Sequence, residues 1–252
     1  MASPFARKRY YEKFCSVELQ QTFYNLPSLD YARRLREEAP QGFIYTMKAW
    51  QVITHPPTSP TWRRLRHKPP GRLENYGYLR PTKENLEAWR RTLAFAHELG
   101  ARIIVLQTPP SFRYSDENRE ALNKFFKSID RGGVAVGWEP RGEWSERREA
   151  IKEIVCMHNI IHVVDPLRRE PVICKGQSIL YFRLHGLGGR GVNYRYKYSE
   201  DDLKKLVKII DKLIKMYTVG EVYTMFNNIY MAQNAALFKT IATEYFDEDK
   251  VC

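Results

Sequence analysis

Two periodicities alternate along the chain. Short apolar runs of period two occupy 16–23 (SVELQQTF), 42–50 (GFIYTMKAW), 102–109 (RIIVLQTP), 133–140 (GVAVGWEP), 160–166 (IIHVVDP), 179–186 (ILYFRLHG) and 221–228 (EVYTMFNN). Rich in β-branched and aromatic residues, they are predicted to be strands. Between them lie stretches of period 3.6. In the segment from Ser199, Leu203, Leu206, Val207, Ile210, Leu213 and Ile214 form one apolar stripe, and Asp202 three residues after Ser199 completes an N-terminal cap. A second helix is predicted over 83–99, with Leu86, Trp89, Leu93 and Ala96 on one side and Gly100 as its stop. Shorter helices fit 28–38, 116–129, 145–157 and 231–244.

Alternating strand and helix predicts parallel strands joined by helical crossovers. Seven strands in 252 residues fit a TIM-like (β/α) barrel spanning about residues 1–246. No dinucleotide-binding or Walker glycine loop follows any strand. GLGGRG, at 186–191, lies about ten residues before its helix and reads as a flexible loop rather than a phosphate cradle. Residues 51–82 interrupt the repeat as a Pro/Arg-rich insertion, a length that marks either function or disorder. The acidic tail 247–252 is the one other candidate for disorder.

Splitting each strand by phase sorts the polar positions. The inward set reads Glu18, Gln20 and Thr22; Thr46 and Lys48; Val105 and Gln107; Ala135, Gly137 and Glu139; Val163 and Asp165; Tyr181, Arg183 and His185; and one of Asn227 and Asn228. Apolar members come early and polar members late. Late positions lie at the carboxyl ends of the strands, the face on which barrels build their sites. Arg183 and His185, two apart in an otherwise apolar strand, are expected to face Glu139, Glu18 and the other polar ends. His162 falls in the outward phase and is read as a packed or surface histidine. The bland alternative is that Glu18 with Lys48, and Glu139 with Arg183, are interior ion pairs.

Charge adds to this picture. The net charge is +12, which favours an anionic partner, either a small molecule or nucleic acid. Much of the excess lies in and just beyond the insertion, including Arg63, Arg64, Arg66, Lys68 and Arg72, with Trp62, Tyr76, Tyr78 and Trp89 interleaved as candidate stacking residues. A solvated loop and helix face would look the same. The four cysteines, Cys15, Cys156, Cys174 and Cys252, show neither Cys-x-x-Cys nor zinc-finger spacing. With no signal-like segment before residue 20 and no membrane-length apolar run, a reducing cytoplasm and no membrane partner are expected.

The pieces VELQQTFY, FIYTMKAWQVITH, LQTPPSF, WEPRGEW, YFRLHG and MFNN, in that order over about residues 10–240, resemble the domain of unknown function 72 family, the YecE-like proteins. The resemblance implies a TIM barrel and little about activity; a likeness of that family to endonuclease IV-like barrels would point to DNA. The family opens with a strand ahead of the helix matching RKRYYEKF. Here only MASPFA precedes that helix, so either the barrel lacks its first strand or the start is truncated.

Three function classes follow. In the first, a phosphate-bearing substrate is bound and hydrolysed, as by a nuclease or phosphoesterase. Arg183 and Lys48 grip phosphate, His185 transfers protons and Glu139 is the partner carboxylate. Glu18, Gln20, His55, Gln107, Arg141, Asp165, Asn227 and Asn228 would complete the substrate contacts. The second is a nucleic-acid-binding protein without catalysis, using the basic insertion. The third, ranked last, is a carbohydrate-directed enzyme using Glu18 and Glu139. Glu18, Glu139, Asp165, His55 and His185 could ligate a divalent metal, but no His-x-x-x-His spacing supports one, and no cofactor is expected.

Overall fold

In the computed structural model the described residues are 4–189, 191–247 and 251–252. The expected disordered tail falls largely on 248–250, outside them. The chain forms two compact units, Met1–Ile160 and Ile161–Cys252.

The first unit runs α1 (Pro4–Lys13), β1 (Ser16–Leu19), α2 (Gln21–Tyr24), α3 (Leu29–Glu38), β2 (Ile44–Lys48), α4 (Lys83–Leu99), β3 (Ala101–Gln107), α5 (Asp116–Ser128), β4 (Ala135–Glu139) and α6 (Arg148–Met157). Its four strands pair in parallel, in chain order. The register confirms the predicted phase, because laterally paired residues project to the same side of a sheet. Glu18 pairs with Thr46, Lys48 with Val105, Val105 with Gly137, and Gln107 with Glu139. The opposite phase carries Tyr45, Met47, Ile104, Leu106, Val136 and Trp138, all buried.

The first predicted strand needs correction. β1 stops at Leu19, and 21–24 is a turn of helix. The Thr22 hydroxyl lies 2.9 Å from the Leu19 carbonyl and 2.7 Å from that of Lys48, fixing the turn where pairing with β2 ends. Gln20 and Thr22 therefore leave the strand. Alternation breaks, and Phe23, which a strand continuing to 23 would turn outward to the helices, lies beneath Lys48 instead, its ring centroid 3.8 Å from Nζ.

The 51–82 insertion is ordered, with 3-10 turns at Gln51–Ile53, Pro60–Arg64 and Leu73–Asn75. Three backbone N–H groups hold its end against its start: Gly77 donates to Val52 at 2.8 Å, Tyr78 to Thr54 at 3.0 Å and Leu79 to Ile53 at 2.9 Å. Gly77, at φ +89°, has room for no side chain; a Cβ there would sit 2.6 Å from the Pro56 nitrogen. Two proposed stacking residues are removed by burial. Tyr76 and Trp89 are core side chains, and Trp89 donates its indole N–H to the Asp130 carbonyl.

The second unit contains β5 (Ile161–Val164), β6 (Ile179–Leu184), α7 (Glu200–Met216), β7 (Glu221–Phe226) and α8 (Met231–Tyr245). Its strands also pair in parallel, in order. Leu180, Phe182 and Leu184, the outward phase of β6, join Leu203, Leu206, Val207, Ile210 and Leu213 of α7 in one core. Ile214, expected in that stripe, is 38% exposed. The Ser199–Asp202 capping box forms as predicted. His162 is buried and its Nδ1 accepts from the Val172 N–H at 3.0 Å, a packed histidine.

All four cysteines are in disulfides, which their spacing along the chain does not announce. A disulfide requires Cβ atoms about 4 Å apart, a tertiary condition that spacing along the chain does not report. No helix among the described residues is long and apolar enough to cross a membrane.

Candidate functional site

In the first unit, the carboxyl ends of β2, β3 and β4 bring polar groups together. Lys48, the last residue of β2, is 6% exposed. Its ammonium donates to Gln107 Oε1 at 2.8 Å and lies over the Phe23 ring. Glu139, also buried, meets Arg141 through one oxygen, Oε1, which lies 2.9 Å from Nε and 2.5 Å from Nη2. Glu18 accepts from the exposed Gln20 amide.

His55 is brought into this cluster by the turn after β2. Its ring meets Phe23 edge-on at 4.9 Å, and Nδ1 lies 2.8 Å from Thr54 Oγ1. The Thr54 hydroxyl is 3.4 Å from the Gln51 carbonyl, to which it donates. Burial first, then Lys48 and Arg141, push the imidazole pKa down to about 3. His55 is therefore neutral at physiological pH, a hydrogen-bonding group rather than a cation. It is also too weak a base for general-base work.

The second unit holds a separate polar network. Arg183 is 1% exposed and His185 5%. The Asn227 amide donates to His185 Nδ1 at 3.3 Å, leaving the ring proton of the neutral form on Nε2. The pairing of Arg183 with Met225 puts Asn227 in the same phase as Arg183, deciding between the two asparagines. Asn228 is a strut: its amide nitrogen donates to the Tyr196 carbonyl at 2.7 Å and to Asn234 Oδ1 at 2.8 Å. Asp165 accepts from the Leu167 N–H at 3.0 Å and from the Tyr198 hydroxyl at 3.5 Å. Burial raises its carboxyl to about 6.

The glycine loop after β6 is not a phosphate cradle. Its carbonyls turn toward Arg168, whose guanidinium donates to Gly186 at 2.8 Å and Gly188 at 3.0 Å. The Gly186 N–H donates to the Tyr198 hydroxyl. Arg190 lies outside the described residues. Arg168, which no strand-phase rule singles out, was missed by the sequence reading; its signal is tertiary.

The basic insertion is exposed at Arg63, Arg64, Arg66, Lys68 and Arg72. Asn25 ties it down: its amide donates to the Arg64 carbonyl at 2.9 Å and accepts from the Arg66 N–H at 2.7 Å. The Arg64 guanidinium lies 4.6 Å from the Tyr24 ring centroid. Among the described residues, no group of three or more His, Cys, Asp or Glu side chains is placed to hold a metal ion.

Parallel strands joined by helices, with charged side chains gathered at strand carboxyl ends, define the TIM-like (β/α)-barrel class. The match to known folds agrees. A DUF72 family protein from Thermotoga maritima is 26% identical, with a TM-score of 0.68 over 96% of this chain and 90% of that one. A xylose isomerase domain containing protein from Salmonella typhimurium shares 17% identity at a TM-score of 0.54, covering 95% and 90%. The IOLI protein, whose structure holds a zinc atom, shares 10% at 0.51, covering 93% and 90%. A search of curated proteins gives no match. The chain belongs to the family described as Protein of unknown function DUF72, which it matches over residues 4–249.

Proposed function

We propose that the protein binds a phosphate-bearing substrate at its strand carboxyl ends and hydrolyses it, as a phosphoesterase or nuclease. The observation that carries this reading is the placement of Lys48: a buried ammonium, bonded to Gln107 and lying over Phe23, in a cluster where Arg141 supplies a second cation and His55 stays neutral. A cation held in a low-dielectric wall attracts an anion more strongly than the same cation in water. In the second unit, Arg183 offers a planar fork for phosphate oxygens. His185, oriented by Asn227, is the proton-transfer group of the second unit, and Glu139 is the carboxylate of the first unit's cluster. Neutral His55 would hydrogen-bond a substrate hydroxyl.

The test is turnover of a phosphodiester and a phosphomonoester by the wild type, Lys48→Met, Arg183→Ala and His185→Ala. Loss of a proton-transfer group is expected to slow hydrolysis by about 100-fold or more. Lys48→Met is expected to weaken inorganic phosphate binding. Turnover indifferent to all three substitutions sinks these roles.

A second reading, binding of nucleic acid without catalysis, is favoured by the Asn25 tether. It fixes the Arg63–Arg66 strip beside α2, where it would meet further phosphates of a polyanion. Charge reversal at Arg63 and Arg66 is expected to flatten the dependence of binding on salt. An unchanged slope counts against it.

A further inference from the structure

The second unit carries an apolar rim that its own core does not use. Tyr194 is 47% exposed, Ile229 62% and Met231 48%. These are not frayed side chains. The loops bearing them are joined by the Ile229 N–H to the Tyr194 carbonyl at 2.8 Å, by Asn228 to the Tyr196 carbonyl, and by Asn234 to the Tyr198 carbonyl at 3.1 Å. An apolar surface facing water, on segments tied together in this way, marks a contact site. Its position indicates what the contact is. The Tyr194 ring meets the His185 imidazole edge-on at 5.9 Å, and the Asn193 N–H donates to the His185 carbonyl at 2.8 Å. The rim is thus continuous with the proposed proton-transfer group and with the Asn227 amide. Close by in sequence, Lys197 lies 5.7 Å from the Tyr230 ring centroid.

We infer that this rim seats a planar aromatic group of the substrate, a nucleobase, stacked on Tyr194 and edged by Ile229, with the anionic part directed toward His185. The combination decides the chemistry. A sugar phosphate has no use for three exposed apolar side chains, and a purely apolar ligand has none for an amide and an imidazole at the same edge. Exposed tyrosine with adjoining amide and basic groups suits base stacking with edge recognition. The inference rests on the proposed anion-binding function and narrows its substrate class.

The full-length protein is titrated calorimetrically with inorganic phosphate, ribose 5-phosphate, adenosine and adenosine 5′-monophosphate. The nucleotide is expected to bind at least about fivefold tighter than ribose 5-phosphate, the lower end of what one stacked base contributes. Tyr194→Ala is expected to abolish that gain and Tyr194→Phe to keep it, both leaving ribose 5-phosphate binding unchanged. Equal affinity for the nucleotide and ribose 5-phosphate, or a gain that survives Tyr194→Ala, overturns the inference. So does a dimer in sedimentation that Tyr194→Ala dissolves, since a second copy would then own the rim. The anion reading fails separately: adenosine binding that depends on Tyr194, with no contribution from phosphate, upholds the stacking site and removes the phosphate site.

Discussion

Acidification gives a quantitative test of the Lys48–His55–Arg141 cluster. His55 is buried, and its pKa falls to about 3 through burial, then through Lys48 and Arg141. In the unfolded chain the same imidazole takes its proton near its ordinary value of about 6.5. Between these values the unfolded state binds a proton that the folded state refuses. Stability present above about pH 6.5 is therefore lost as pH falls toward about 3. Each pH unit well below 6.5 costs about 1.4 kcal/mol, and the unfolded ring is half protonated at about 6.5, so the step from pH 6.5 to 4.5 removes roughly 2 kcal/mol through this one residue. His55→Gln lacks the group. Urea unfolding of both proteins at pH 7 and pH 4.5, at constant ionic strength, isolates the contribution as the difference between their two losses. Nitrogen-15 titration of the ring gives the same quantity directly. Lys48→Met should raise the ring's pKa yet leave it below the ordinary range, because burial is the largest cause. A wild-type His55 that titrates near 6.5, or parallel losses in the two proteins, refutes the placement of this ring in a buried, cationic cluster.

Asp165 acts with the opposite sign. Its carboxyl is raised to about 6 by burial, so its stabilising contribution is full below about pH 4 and lost as pH rises through about 6. Asp165→Asn should remove that dependence, and a carboxyl carbon titrating near 4 contradicts the reading. Gly77→Ala should destabilise by about 3 kcal/mol or more, since a Cβ would meet the Pro56 nitrogen at 2.6 Å in a left-handed backbone; a loss under about 0.5 kcal/mol in denaturant unfolding tells against the packing of the insertion on His55. Thiol titration in denaturant should find no reactive cysteine before reduction and four after it, and reduction should cost about 2–4 kcal/mol per disulfide. Four thiols without reductant overturns the pairing.

Much of the architecture was legible because strands and helices impose distinct periods on burial. The phase rule placed Glu18, Lys48, Gln107 and Glu139 on one side of the first unit's strands, and Arg183 on one side of β6, since alternation needs only the local backbone to be extended. It failed where the backbone stopped being extended. At Gln20 the chain turns into α2, and Phe23 exchanges a helix-facing position for one beneath Lys48. The choice of Asn227 over Asn228 needed the pairing of β6 with β7. The lowered pKa of His55 comes first from burial and then from Lys48 and Arg141 beside the ring, all of which the fold decides. Arg168 at the glycine loop, Asn25 at the basic strip and the pairing of all four cysteines follow the same logic. The sequence by itself determined which faces are apolar and which strand ends are charged, because those are properties of single elements. Which charges meet, which amides are struts and which thiols bond was decided by the tertiary structure. Coulomb attraction, hydrogen bonds and disulfides act over a few ångströms, a separation that the order of residues along a chain does not encode.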